Sequence, residues 1–414
     1  MMSGKSVTFH KTVRGSLHIL RNIPCEDCSA SYSDESGRYH IAVVADGHGD
    51  PACMRSAYGA QAVVKVAADC LRTFAETSLA ENSSETLDCL STPRNIRQTL
   101  QQLTNTIISQ WYQNIYLHLE ETPLTEDELT CADRYAEEYR AGKRLAHVYG
   151  TTLIAALQLP DYLILVQQGD GRCVIFYADG EVGQPIPWDE RCFENITTSM
   201  CDEDVAASIR HCVISLKEHP VIACYLGSDG VEDSYRDMEG THNFYRKLSG
   251  ELVHRNVSDF EQYLGEMLPV FSQEGSGDDV SVAGIVDTEV IASLIPCFES
   301  LSQQYDLLET KVLYDEKLCS MTRKHGILKK RWEAAKTDWE LKTAELQQIQ
   351  DHSIQLEYST REALAAAQAA EQEFKEYDSK YQELLEKQQK LALQVDKLVN
   401  SDKKDVTEPA DQNR

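Results

Sequence analysis

Residues 41–50, IAVVADGHGD, carry the reading of this chain: an apolar run stops abruptly at an acid, a histidine and two glycines. Ile41 to Ala45 are short, apolar and partly β-branched, and a glycine follows closely, which fits a buried strand better than a helix. The strand therefore delivers Asp46 to its end. A carboxylate leaving a sheet beside Gly47 and Gly49, where backbone can approach a ligand closely, suits a hard cation bound by carboxylate and carbonyl oxygens. His48 is then placed to exchange a proton.

On the N-terminal side, Glu26 and Asp27 precede SASYSDESGRYH, whose residues Ser33 to Arg38 have the composition of a hairpin turn. The two acids are expected on a strand or loop paired with residues 41–45, close to Asp46. On the other side, Pro51 suits the first turn of a helix, and Met54, Tyr58, Ala62, Val66 and Leu71 recur at helical spacing to about Glu76. Residues 78–93 are polar and read as a surface loop. Helical periodicity resumes over Ile96 to Leu119, and Thr125 to Leu145 reads as a further, highly charged helix. Three strands are expected after Tyr149, with turns at Pro160-Asp161 and Gly169-Asp170-Gly171. Val205 to Arg210 reads as helical, and Val221 to Leu226 as a buried strand ending in GSDGVEDS. Helices fill Tyr245 to Phe271, and Asp278-Asp279 stand immediately before a last strand. Four acids thus sit at strand ends: Asp46, Asp170, Asp229 and Asp278. Carboxylates gathered at one edge repel unless cations neutralise them.

Composition sets limits on function. The 414 residues, 42% hydrophobic, can fill a substantial core. The first residues lack an apolar h-region and no uncharged run reaches the roughly 18 residues of a membrane span, so a cytoplasmic protein without membrane contact is expected. Thirteen scattered cysteines do not form a disulfide framework, and the one tight pair, Cys25 and Cys28, lacks a second pair at zinc spacing. A formal net charge of −27 argues against a nucleic-acid binder and means that an anionic substrate needs local positive charge.

The order of these motifs resembles the metal-dependent protein serine/threonine phosphatases, the phosphatase 2C family, in a bacterial-style member with a C-terminal extension. The resemblance rests on Glu26-Asp27, DGHG at 46–49, GTT at 150–152, GDGR at 169–172, SDGVED at 228–233 and DDVSV at 278–282, and spans residues 7–287. It implies an α+β fold, an αββα sandwich of two antiparallel sheets flanked by helices, with two divalent cations, Mn²⁺ or Mg²⁺, at one end. It implies a phosphoprotein substrate and a signalling role. Asp46 matches the acid that bridges the two metals, Gly47 the glycine whose carbonyl binds the second, and Asp229 and Asp278 the remaining ligands of the first. Glu26 and Asp27 match acids that hold metal-bound waters, and His48 the general acid. Asp170 and Asp233 match acids that hold a weaker third metal in some members. The family's phosphate-binding arginine falls on Asn22 here, with Arg21 one position away and Pro24 marking a local shift. The implied mechanism is attack on a phosphoserine or phosphothreonine by a hydroxide bridging the two metals, while His48 protonates the leaving oxygen. Two rival readings remain: a catalytically weak member of the same fold acting as a scaffold, and a phosphohydrolase of small molecules, for which no Gly-rich, lysine-bearing nucleotide loop is present.

After Glu289, Glu, Gln, Lys, Ala and Leu dominate, and residues 288–400 read as a helical coiled coil. The apolar seam falters over Asp315 to Gly326 and resumes out of phase at Trp332, which suggests a hinge there. The coiled coil is expected either between two chains or folded back at Gly326, and such an arm would serve self-association or partner docking. Residues 401–414 read as a disordered tail.

Overall fold

The structure, a computed structural model, describes residues 6–80, 89–90, 92–193, 196–348 and 354–405, and the chain divides into two compact units, Met1–Glu299 and Ser300–Arg414. The first unit is built on two five-stranded antiparallel sheets. One has the order β1 (Ser6–Val13), β10 (Val280–Asp287), β9 (Val221–Gly227), β6 (Arg172–Tyr177), β7 (Val182–Gly183). The other runs β2 (Cys28–Ser33), β3 (His40–Ala45), β4 (Leu153–Gln158), β5 (Tyr162–Gln168), β8 (Arg210–Ser215).

The continuous apolar run at 41–45 follows from its place between two layers. Alternate side chains of a strand point to opposite faces, so a strand covered on both sides has no polar face. Ala42 and Val44 pack, with Ile154, Ala156, Leu163 and Leu165, against Ile175, Leu226, Ala283 and Ile285 of the facing sheet. Ile41, Val43 and Ala45 point the other way, into a core shared with helices α2 (Ser56–Ser78) and α3 (Pro93–Glu121). There the fully buried Trp111 donates its indole N–H to the carbonyl of Gly59, 3.0 Å away, and fixes α3 against α2. The outer face of the first sheet carries Phe9, Phe176, Tyr225 and Val282. It is covered by α8 (Met238–Val253), α9 (Val257–Glu274) and the first turns of α10 (Thr288–Gln348), through Ile291 and Phe298. Among the described residues the unit also contains five shorter helices: α1 (Ser16–Arg21), α4 (Glu126–Cys131), α5 (Ala136–Arg140), α6 (Val205–Ser208) and α7 (Asp229–Glu232), which follows β9. The αββα sandwich expected from the sequence is the fold.

Three expectations need correction or addition. The charged segment 125–145 is not one helix: α4, a 3₁₀ turn and α5 succeed one another, because Asp133, Gly142 and Arg144 take left-handed backbone conformations that interrupt helical hydrogen bonding. Arg55 anchors this segment to the core, pairing with Glu128 at 2.7 Å and donating to the carbonyls of Thr122 and Pro123 and to the Tyr149 hydroxyl. The strand β8, RHCVIS, was not anticipated, since its apolar residues are too few to show alternation beside the helical Val205–Ser208. The turn at 169–171 carries the chain from one sheet to the other rather than closing a hairpin. The polar loop expected at 78–93 falls largely outside the described residues.

In the second unit the expected hinge at 315–326 is absent: α10 runs unbroken through Gly326, which has open space where a side chain would lie. A single helical glycine costs only about 1 kcal/mol relative to alanine. Ile291 and Phe298 belong to the core of the first unit, and Leu328 is buried in the second. The residues of α10 from 300 onward pair antiparallel with α11 (Ile354–Asp405): Asp315 bonds Gln388, His325 Nε2 lies 3.1 Å from Asp378 Oδ1, and Trp332 stacks on Phe374. α10 from residue 300 and α11 thus pack against each other within one chain. Of the expected tail, residues 401–405 continue α11 and the remainder lie outside the described residues. Among the described residues, no helix is long and apolar enough to cross a membrane.

Candidate active site

The strand registers bring the predicted acids to one end of the sandwich. Cys28 pairs with Ala45, which sets Glu26 and Asp27 beside Asp46. Gly227 pairs with both Val282 and Arg172, which brings Asp229 alongside Asp278 and Asp170. Each acid therefore leaves its strand at the same edge.

Asp46 is held through its backbone. Its carbonyl accepts from Thr152 N (2.7 Å) and Thr151 Oγ1 (2.9 Å), and its N–H donates to Thr152 Oγ1 (3.0 Å), so the GTT stretch serves as a clamp on the acid. Gly47 follows because no side chain fits: a Cβ there would lie 2.6 Å from the Glu26 carbonyl oxygen and 2.9 Å from the Ser56 backbone. Glu26 Oε1 accepts from Ser56 Oγ at 2.7 Å, and Asp27 receives the hydroxyls of Ser228 and Ser281.

The electrostatics show how closely these groups approach. Burial first, then the charges of Asp229 and Asp27, hold the Asp46 carboxyl well above the usual carboxylate range. Asp46 and Asp229 hydrogen-bond each other, and burial together with Asp170, Asp278 and Asp233 pushes Asp229 up to about 7. Asp27 is raised by burial, Asp279 and Asp229. Glu26 and Asp170 are raised chiefly by burial, and Asp233 by burial and then Glu232. All of the predicted acids therefore belong to one electrostatic cluster, with Asp233 and Asp278 at its exposed rim.

Such a cluster fits hard divalent cations. Its donors are carboxylate and carbonyl oxygens, and Glu26 Oε2 and Asp27 Oδ2 are buried without a hydrogen-bond partner. Relief of mutual repulsion by positive charge accounts for acids that would otherwise have to take up protons.

His48 lies beside the cluster. Its N–H donates to the Gly150 carbonyl at 3.1 Å, and its ring lies so close that a Cβ on Gly150 would be 2.6 Å from Cδ2. Burial and the neighbouring His147 lower its pKa to about 4. His147 in turn contacts the Tyr139 hydroxyl at 2.5 Å, which itself donates to the Ala52 carbonyl, so the charged segment packs behind the histidine.

Arg21 ends α1, exposed, without a hydrogen bond or ion pair among the described residues. The residue of α1 that reaches the acids is His18, which the sequence reading did not single out. Its Nε2 lies 3.2 Å from Asp278 Oδ1 and its Nδ1 3.1 Å from Asp279 Oδ1. Asp279 is buried, and it accepts from Gly15 N (2.6 Å) and Glu26 N (2.7 Å), joining three chain segments.

The family model described as Protein phosphatase 2C matches residues 14–277. No curated protein sequence matches the chain. Among solved structures, it is similar to the serine/threonine phosphatase Stp1 from Staphylococcus aureus, at 18% identity and a TM-score of 0.41, over 69% of this chain and 95% of that one. A bacterial serine phosphatase matches at 17% identity and a TM-score of 0.40, over 68% and 97%. The catalytic domain of the serine/threonine protein phosphatase PstP, in complex with two manganese ions, matches at 16% identity and a TM-score of 0.39, over 68% and 98%.

Because the carboxyl of Asp229 is raised in the fold, its proton is retained where an unfolded aspartate, at about 3.9, has lost it. Its favourable contribution is complete below about pH 4 and is lost as pH rises through about 7. In EDTA, Asp229→Asn should therefore melt at a higher temperature than the wild type at pH 8, with the gain shrinking by pH 5. Comparison of the two proteins cancels the histidines, and an equal difference at both pH values would contradict the clustering.

Proposed function

The chain belongs to the protein phosphatase 2C family and is a protein serine/threonine phosphatase; on that premise we propose which residues bind the metals and carry out the hydrolysis of phosphoserine and phosphothreonine. Asp46, Asp229 and Asp278, with the Gly47 carbonyl, hold two divalent cations, Mn²⁺ or Mg²⁺. Glu26 and Asp27 hold their water ligands, and Asp170 and Asp233 a third, weaker site. The observation that carries this reading is the convergence of Asp27, Asp46, Asp170 and Asp229 at one edge of the sandwich, set by the strand registers, where burial and neighbouring carboxylates raise each of them. Bound divalent cations lower the pKa of water and neutralise the phosphoryl oxygens, which favours in-line displacement at phosphorus.

The chain's own groups supply the rest. Thr151 and Thr152 fix Asp46, and Gly150 leaves room for the His48 ring. With its pKa near 4, His48 rests as the neutral imidazole; a phosphate anion entering beside it favours the protonated form. His48 then gives that proton to the departing serine or threonine oxygen, a poor leaving group as an alkoxide. Arg21, exposed on α1, is the cation assigned to the incoming phosphate.

Asp46→Ala or Asp229→Ala should abolish Mn²⁺-dependent hydrolysis of p-nitrophenyl phosphate, and full activity in both would remove the assignment. His48→Ala should slow a phosphothreonine peptide by about 10²–10⁴-fold while sparing p-nitrophenyl phosphate, whose phenolate leaves unaided. Equal losses on the two substrates would argue against a general acid.

The helical hairpin of the second unit is assigned a docking role rather than chain pairing. What supports this is that His325, Trp332 and Asp315 already spend their contacts on α11 of the same chain. Light scattering of the full-length protein should give the mass of one chain; a dimer would show that the arm self-associates instead.

A further inference from the structure

Asp278 differs from the other acids in its support. Asp46 is clamped by Thr151 and Thr152, and Asp279 is fixed by two backbone N–H groups, whereas the Asp278 side chain is 50% exposed. An exposed aspartate in a loop samples several rotamers, and a ligand that must first be ordered binds with lower affinity. Two groups limit that freedom, both at Oδ1: the N–H of Asp279, 2.8 Å away, and His18 Nε2, 3.2 Å away. The imidazole lies close to a second carboxylate, its Nδ1 3.1 Å from Asp279 Oδ1 without a formed hydrogen bond, and packing leaves only 14% of the side chain exposed.

We propose that His18 is a positioning residue for the metal centre, holding Oδ1 of Asp278 so that Oδ2 is turned to the cluster as a ligand. The inference rests on the reading of Asp278 as a metal ligand. An outer-shell partner of a ligating carboxylate fixes its orientation, and loss of such a partner lowers metal affinity by about 10–100-fold. The helix α1 is thereby given a role: it carries, one turn apart, the residue that orders a metal ligand and the exposed Arg21. The sequence departs from the family at the arginine position, and His18 does not replace that residue. Both its nitrogens face carboxylates, which leaves neither for a substrate phosphate.

The test is Mn²⁺ binding by isothermal titration calorimetry on full-length protein at one fixed pH, without substrate, for the wild type, His18→Ala, His18→Gln and Asp278→Ala. Circular dichroism melts in EDTA establish that each variant is folded. His18→Ala should weaken Mn²⁺ binding by about 10–100-fold, and His18→Gln, whose amide N–H₂ can still donate to Asp278, should recover most of the loss. Wild-type affinity in His18→Ala would overturn the proposal while leaving the metal site in place. A glutamine variant as weak as the alanine variant would also overturn it, and would make His18 a direct ligand together with Asp278 and Asp279, whose donor atoms lie within 4.8 Å of its own. Undiminished binding in Asp278→Ala, or no binding by the wild type, would overturn the ligand reading on which it rests.

Discussion

The constraint on which the structure depends is the gathering of like charges at one end of a close-packed sandwich. Two unit charges about 4 Å apart at an effective dielectric of about 20 repel by roughly 4 kcal/mol, comparable to a large part of a domain's whole stability. The fold nonetheless directs Asp27, Asp46, Asp170 and Asp229 to one edge and raises their pKa values together. That arrangement is sustained by the apolar layers on either side, not by the site itself. Three separate clusters, one between the sheets and one on each outer face, bury the side chains whose removal from water opposes the repulsion.

The framework around the acids is mostly backbone and hydroxyl. Thr151 and Thr152 grip Asp46, Ser56 holds Glu26, Ser228 and Ser281 attend Asp27, and Asp279 ties Gly15 and Glu26 to β10. None of these partners adds a positive charge to the centre. Neutralisation is thus left to whatever binds there, which suits an enzyme of the protein phosphatase 2C family. The segment between α3 and β4 reaches the same centre from behind, since Arg55 fastens it at Glu128 and Tyr139 and His147 close over His48.

Much of this was legible in the sequence because the relevant signals are local. An apolar pentad that stops at Asp46, similar strand ends at Asp170 and Asp229, and Asp278 just before the last strand marked the strands, the edge and the acids at once. What was not legible depends on distance along the chain. His18 has no pattern of its own and gains meaning only where Gly15 and α1 meet Asp278–Asp279 across about 260 residues. The hinge expected at Gly326 is absent because a single glycine with open space around it leaves the helical hydrogen bonding intact, which a phase shift in the apolar pattern does not reveal. The break-up of residues 125–145 turned on the backbone conformations of Asp133 and Arg144, which composition does not reveal.

The central claim is that the clustered acids form one cation site. Anomalous diffraction at the manganese edge from crystals grown with Mn²⁺ tests it most directly. The account predicts two strong peaks, one shared between Asp46, Asp229 and Asp278 and the other beside Asp46 and the Gly47 carbonyl. Peaks elsewhere, or carboxylates turned apart with no peak between them, would contradict it.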